Sequence, residues 1–385
     1  MRLAIVVQGY HPEIVGGAEA HAAMLAEKLL KRGHEIDVLT TTSMSSSKWE
    51  EVLPAGDEQI NGITIKRFKT GSRFPFFWLW ERAFRWLSYL SFGLFDRLWL
   101  RAQGPYCPDL IKYLDCSVQC YEKIIFFSYL YYPFVYGVLS AKNKAIAIPT
   151  VHDEAALTVR MVRRALCCVS VIWANSEAES KLLQQRVGIP KHRIEVMGVG
   201  IDGLDPGSQT KHVGRSPYFL YLGRIGKSKG VDILIEFFKS RQDLHLILAG
   251  KLDNGFVIPE QKNIEFLGFV DAQKKEELIK NAAALINPSK YESLSLIALE
   301  AMQSKTPLIV NRDSNVLKTY ADQFESVKAF RSMKDLAICV DWALSTGWAE
   351  ERHQEQLNIS AEWVRNFYAW PSILERMEKN FNCRK

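Results

Sequence analysis

The chain has 385 residues, 49 Lys and Arg against 43 Asp and Glu for a net charge of +6, and a hydrophobic fraction of 48%. That length suggests two domains, each large enough to bury a real core, and the ordinary apolar fraction without low-complexity runs excludes a tract-like chain. Seven cysteines, an odd number at irregular positions, fit a reducing compartment better than a disulfide framework, and no CxxC pair with matching histidines supports a metal site at Cys116, Cys120, Cys167 and Cys168.

Residues 2–7 read as a short buried strand. They lack the length of a signal-peptide core and no cleavage pattern follows, so the chain is expected to remain where it is made. Behind the strand stand Gly9, Tyr10, His11 and Pro12 in place of a Gly-x-Gly-x-x-Gly fingerprint, which disfavours an NAD-dependent dehydrogenase. An apolar period through Ala22, Leu25 and Leu29 predicts a helix that follows Gly16 and Gly17 and ends at Gly33, with the next strand beyond it.

From Lys66 to Arg101, eight basic residues stand against Glu81 and Asp96, a surplus equal to the net charge of the whole chain. Residues 74–99 are dense in aromatics, and charges interrupt them too often for a transmembrane helix, which needs about 20 apolar residues. Two readings stay open. The segment lies in a membrane interface, with aromatics at the headgroup level and arginines on anionic lipid, or it packs on the first domain as ordinary helices beside an acceptor groove. No nucleic-acid-binding module accompanies the patch, so nucleic acid is not an expected partner.

Residues 200–217, rich in glycine, proline and small polar residues, read as a linker and hinge. On both sides of it strands of four to six apolar residues alternate with helical patterns, the second half supplying 244–250, 264–267, 283–287 and 307–310. That alternation predicts two α/β domains with parallel sheets. A hydrophobic strand at 218–222 runs into a turn carrying Gly223, Arg224, Gly226, Lys229 and Gly230. Glycines there let backbone approach an anion closely, and a helix N-terminus behind them offers unpaired amides and the positive end of its dipole. A diphosphate fits such a turn: Arg224 grips oxygens through a planar fork and Lys229 adds a compact charge. Further on, Ser293 and Ser295 precede an apolar helix at 296–303 and offer more amides. Glu292 lies in that turn within reach of a sugar hydroxyl, and Glu300 sits two turns into the helix, where a carboxylate accepts from paired hydroxyls such as a ribose diol.

Glu292 and Glu300, with seven residues between them and Gly223, Arg224, Lys229 and Gly230 before them, resemble the pattern of glycosyltransferase family 4, and the resemblance covers nearly the whole chain. It implies the GT-B fold: two Rossmann-like, doubly wound parallel-sheet domains facing across a cleft. An N-terminal acceptor-side domain would span 1–200, a linker 201–217 and a C-terminal nucleotide-sugar-binding domain 218–370, with the final helix, 371–385, returning to the first domain. Residues 149–154 resemble the family's strand-end histidine segment, which sets His152 beside the transferred sugar with Asp153 next to it. Residues 173–177 and 193–202 resemble the last strands of the first domain and the entry to the linker.

The resemblance also distributes roles. The donor-binding set is Gly16 and Gly17 from the first domain; Gly223, Arg224, Lys229 and Gly250 at strand ends; Phe269 and Val270, near which backbone reads the base; and Glu292, Ser293, Leu294, Ser295 and Glu300. Glu292, His152, Arg224 and Lys229 are the expected catalytic residues, with Glu292 and His152 on sugar hydroxyls and Glu300 on the ribose. Two departures stand out. Family members carry glycines in the turn after the first glutamate, where this chain has Ser293, Leu294 and Ser295; backbone amides survive that change. A glycine is also expected where Lys305 follows the helix, and a lysine in a left-handed cap costs about 1 kcal/mol.

The reading implied is a retaining, metal-independent transferase with no cofactor. It moves a hexose or N-acetylhexosamine from a nucleoside diphosphate sugar, UDP in preference to GDP, to a glycan or lipid-linked acceptor. The expected setting is bacterial polysaccharide or lipopolysaccharide assembly in the cytoplasm, peripheral to the inner face of the membrane through 66–101. A nucleotide-sugar epimerase or hydrolase of the same fold, and a non-catalytic nucleotide-sugar-binding subunit, remain as alternatives.

Overall fold

The computed structural model describes residues 1–12, 16–44, 49–71, 83, 95–202, 217–345 and 350–382. They divide into two compact units, Met1–Gly198 with Leu374–Lys385, and Val199–Ile373.

The first unit holds β1 (Arg2–Val6), β2 (Glu35–Thr41), β3 (Gly56–Ile60), β4 (Ile63–Phe68), β5 (Lys123–Phe127), β6 (Ala145–Ile148), β7 (Val171–Ala174) and β8 (Ile194–Val196). Their order in the sheet is β3-β4-β2-β1-β5-β6-β7-β8, and every pairing is parallel except that of β3 with β4 at the edge. The central strands are buried along nearly their whole length, Leu3 to Val6 in β1 and all of β6 and β7. Continuous apolar runs of this kind, in place of alternation, mark a parallel sheet covered on both faces. The cover includes α1 (Gly17–Lys31), α2 (Asp96–Gln103), α3 (Pro108–Ser117), α4 (Tyr132–Ala141), α5 (Arg160–Cys168) and α6 (Glu177–Leu182). Helix α1 buries His21, Ala22, Leu25, Ala26 and Leu29, so the expected apolar period forms its inner stripe. Gly33, at φ +85°, turns the chain out of it.

The second unit holds β9 (Tyr218–Leu222), β10 (His245–Ala249), β11 (Ile264–Gly268), β12 (Ala284–Asn287), β13 (Leu308–Asn311) and β14 (Val327–Phe330), in the order β11-β10-β9-β12-β13-β14. Every pairing is parallel. Its helices are α7 (Val231–Ser240), α8 (Ala272–Asn281), α9 (Leu296–Gln303), α10 (Asn315–Gln323), α11 (Met333–Ser345) and α12 (Glu351–Tyr368). Both sheets reverse the direction in which strands are added, between β1 and β5 in the first and between β9 and β12 in the second. In open parallel sheets the crevice beyond the strand C-termini at such a reversal is the ligand site.

The last helix, α13 (Trp370–Asn382), passes from the second unit to the first at Ile373 and Leu374. Arg376 Nη2 donates to Met197 O at 2.9 Å, Asn380 Nδ2 donates to Glu195 Oε2 at 2.6 Å, and Phe381 packs on Trp173 with ring centroids 5.6 Å apart. A buried phenylalanine of this kind contributes about 1.5–3 kcal/mol.

The aromatic stretch 72–94, apart from Ala83, lies outside the described residues, as do 203–216 of the linker. Part of the charge counted there belongs to the sheet edge: Lys66 pairs with Asp57, and buried Arg67 pairs with Glu58. Arg101 lies over the ring of Tyr106, 4.8 Å from its centroid. Among the described residues no helix is long and apolar enough to cross a membrane.

Candidate functional site

The turns after β9 and β12 bring the second-unit candidates together. Gly223 leaves β9 at φ +140°, and Gly250 leaves the neighbouring β10 at the same angle. A Cβ on Gly250 would stand 1.9 Å from Gly223 O, so two bare backbones touch where the strands end. Tyr221 Oη donates to Arg224 O at 2.6 Å. Burial, with the charge of Glu292 near it, pushes this phenol well above its ordinary range and keeps it a donor. A Cβ on Gly226 would lie 2.1 Å from Asp253 Oδ2, and Asp253 Oδ1 lies 3.6 Å from Arg224 Nε.

Lys227–Lys229 form a single 3-10 turn closed by Gly230 at φ +74°. Lys229 Nζ leaves it to donate to Glu292 Oε1 at 2.7 Å. The two residues predicted for opposite roles, phosphate grip and sugar contact, are thus an ion pair. Glu292 keeps only 15% of its side chain exposed and Lys229 28%, so the pair is screened less than a surface bridge.

The turn that holds Glu292 is built from buried polar side chains. Asn287 Nδ2 donates to Ser295 Oγ at 2.9 Å and Asn311 Nδ2 to Pro288 O at 2.8 Å, while Tyr320 Oη donates to Leu294 O at 2.8 Å. Ser295, just before α9, sits at φ +67°, in the left-handed region that glycine occupies without cost. Among the described residues the amide hydrogens of Ser293, Leu294 and Ser295 have no acceptor. Free amides at the mouth of a helix are a ready anion site.

Glu300 faces α8, where Lys275 Nζ donates to its Oε1 at 2.7 Å. Phe269 is exposed beside Gly268, whose carbonyl accepts from Gly250 N at 2.7 Å, and Val270 is half-buried. Sequence reasoning missed Asp253, Lys275, Asn287, Asn311 and Tyr320.

Gly16, Gly17 and His152 lie in the first unit. Gly16 precedes α1 in extended conformation and Gly17 opens it. A Cβ on Gly16 would stand 2.1 Å from Glu19 Oε2, and Gln8 Nε2 donates to Glu19 Oε1 at 2.8 Å. Burial raises the Glu19 carboxyl above its ordinary range. His152 is half-buried beyond β6, after Thr150 at φ +56°. Its segment is tied on both sides: Val151 N donates to Glu179 Oε1 at 2.5 Å, and Tyr129 Oη donates to Glu154 Oε1 at 2.8 Å. Glu179 also accepts from Asn175 N at 2.7 Å, which joins the ends of β6 and β7. Ser176 and Glu179 at N-cap and third-position spacing were a legible capping signal; the reach to Val151 was not. Asp153, beside His152, pairs with Arg186 at 3.0 Å. Among the described residues no three His, Cys, Asp or Glu side chains converge as a metal-binding group.

With this geometry in hand, residues 208–359 match the family model described as glycosyl transferases group 1. An uncharacterized glycosyltransferase of Methanocaldococcus jannaschii is 24% identical over 97% of this chain and 96% of its own length. Among solved structures, sucrose-phosphate synthase from Thermosynechococcus elongatus superposes with a TM-score of 0.70 at 17% identity, over 99% of this chain and 98% of that one. The Anabaena protein HepE, solved in complex with UDP-glucose, gives a TM-score of 0.67 at 15% identity over 99% of both chains. The fold is GT-B.

Proposed function

We propose that this glycosyltransferase of GT-B fold is a retaining, metal-independent enzyme of family 4, which moves a hexose or N-acetylhexosamine from a UDP-sugar to a glycan or lipid-linked saccharide. The observation that carries the reading is the Lys229–Glu292 pair at the strand reversal between β9 and β12, beside free amides at the mouth of α9. A diphosphate arriving there meets Arg224, Lys229 and the amides of Ser293 to Ser295. Lys229 turns from the Glu292 carboxylate toward phosphate, which frees Glu292 to accept from a sugar hydroxyl. As the bond from the anomeric carbon to the phosphate oxygen breaks, negative charge grows on the diphosphate, and the two cations offset it. The acceptor oxygen bonds to the same face of the anomeric carbon and passes its proton to the departing phosphate oxygen, so no separate base is required. Glu300 takes the ribose diol, sharing its carboxylate with Lys275. His152 contacts the transferred sugar.

The uridine preference draws support from HepE, whose structure contains UDP-glucose. Assembly of bacterial envelope polysaccharide at the inner face of the membrane is the setting we propose, on the basic aromatic character of 66–101 in the sequence. Calorimetric titration of UDP and GDP in the presence of EDTA, on wild type and Lys229→Ala, tests the reading. Micromolar binding of one diphosphate, weakened in the variant, is the expected result; binding of neither refutes a metal-free donor site.

A further inference from the structure

Tyr320 lies on α10, outside every motif in the sequence. Its side chain is buried, and its ring meets Trp363 edge-on with centroids 6.0 Å apart. Its hydroxyl donates to Leu294 O at 2.8 Å.

What the contact does follows from peptide geometry. The Leu294 carbonyl and the Ser295 amide belong to one rigid plane, in which C=O and N–H point in opposite directions. A hydroxyl that anchors the carbonyl on the α10 side therefore turns the Ser295 N–H away from α10. The neighbouring carbonyls are anchored in the same manner: Asn311 Nδ2 holds Pro288 O at 2.8 Å and Ser289 Oγ holds Tyr291 O at 3.2 Å. Ser295 itself is kept at φ +67°, a conformation that a non-glycine residue adopts only where its surroundings impose it. The carbonyls of Pro288, Tyr291 and Leu294 are thus each held by a side-chain donor, and Tyr320 holds the one nearest α9.

We infer that Tyr320 is a positioning residue for the donor diphosphate: its hydroxyl, through the Leu294 carbonyl, fixes the direction of the Ser295 amide that binds a phosphate oxygen. The inference rests on the proposed reading of the 292–295 turn as a diphosphate site. Tyr320→Phe removes the hydroxyl and keeps the ring against Trp363. Wild type and variant are titrated with whichever of UDP and GDP the wild type binds, and with the parent nucleoside, which lacks phosphate, by ligand-observed NMR. The expected result is diphosphate affinity weakened about tenfold with nucleoside binding unchanged. Equal losses for both ligands, or no loss for the diphosphate, overturns the role of Tyr320 and leaves the donor site standing. Failure of the wild type to bind either diphosphate overturns both together. Amide exchange in the wild type supplies a test that needs no variant. The Ser295 amide gains protection when the diphosphate binds and not when the nucleoside binds; absence of that gain refutes the inference.

Discussion

Lowering the pH forces a proton onto the imidazole of His21 only as the first unit unfolds. His21 is enclosed in α1, edge-on to Phe127 with ring centroids 5.1 Å apart, and burial pushes its pKa from 6.5 down to about 3. The unfolded chain takes up the proton near pH 6.5 and the folded chain does not, so the His21 contribution is complete above that pH and is lost as pH falls toward 3. From about pH 7.5 to about pH 5 the loss comes to about 2 kcal/mol. Glu179 acts in the opposite sense. Desolvation raises its carboxyl from 4.5 to about 7 against two backbone amides that favour the anion. Its contribution is therefore complete below about pH 4.5 and lost as pH rises through 7, and over the same acid step it adds about 2 kcal/mol. The two offset each other in the wild type and separate in variants. His21→Leu, measured by urea unfolding at both pH values, should gain about 2 kcal/mol on wild type in the acid step. A stability gap between the two proteins that is the same at both pH values would refute the argument.

Lys229→Ala should lower kcat/KM at least 100-fold, about 2.7 kcal/mol of transition-state stabilisation; wild-type turnover would remove Lys229 from the site. Lys305 sits at φ +58°, so Lys305→Gly should stabilise the second unit by about 1 kcal/mol in urea titration with activity unchanged. Gly250→Ala should destabilise by on the order of 3 kcal/mol, since the added methyl meets Gly223 O at 1.9 Å and φ is +140°. A lowered melting temperature checks it, and an unchanged one would mean that the two turns move apart freely.

Much of the site was legible because its chemistry is local. Gly223 to Gly230 form one turn and Glu292 to Glu300 one turn and helix, so spacing alone placed the candidate residues of each group in one short segment. At Lys305 the glycine that the family pattern implies announced a left-handed backbone, and that backbone is present. The Lys229–Glu292 contact spans 63 residues, and no pattern in either turn encodes it; it follows from β9 and β12 being neighbours across the strand reversal. Tyr320, Asn311 and Lys275 act over 23 to 26 residues through common residue types. Each is indistinguishable in sequence from a surface or core residue. Ser176 caps α6 by accepting from Glu179 N, a local contact, while the reach of the Glu179 carboxylate to Val151 depends on β6 and β7 lying side by side.

The path of α13 bears on synthesis. Trp173 and the carbonyl of Met197 receive Phe381 and Arg376 only from the far end of the chain. On a ribosome adding about 5–20 residues per second, the first unit waits roughly ten seconds or more, through synthesis of all of Val199–Ile373, before its last pieces emerge. During that interval an indole and apolar surface at β7 lie open to chaperones, proteases and other nascent chains. Messages truncated before Leu374 would leave that exposure permanent, so quality control of this protein is set by its C-terminal residues even where the defect appears in the N-terminal half.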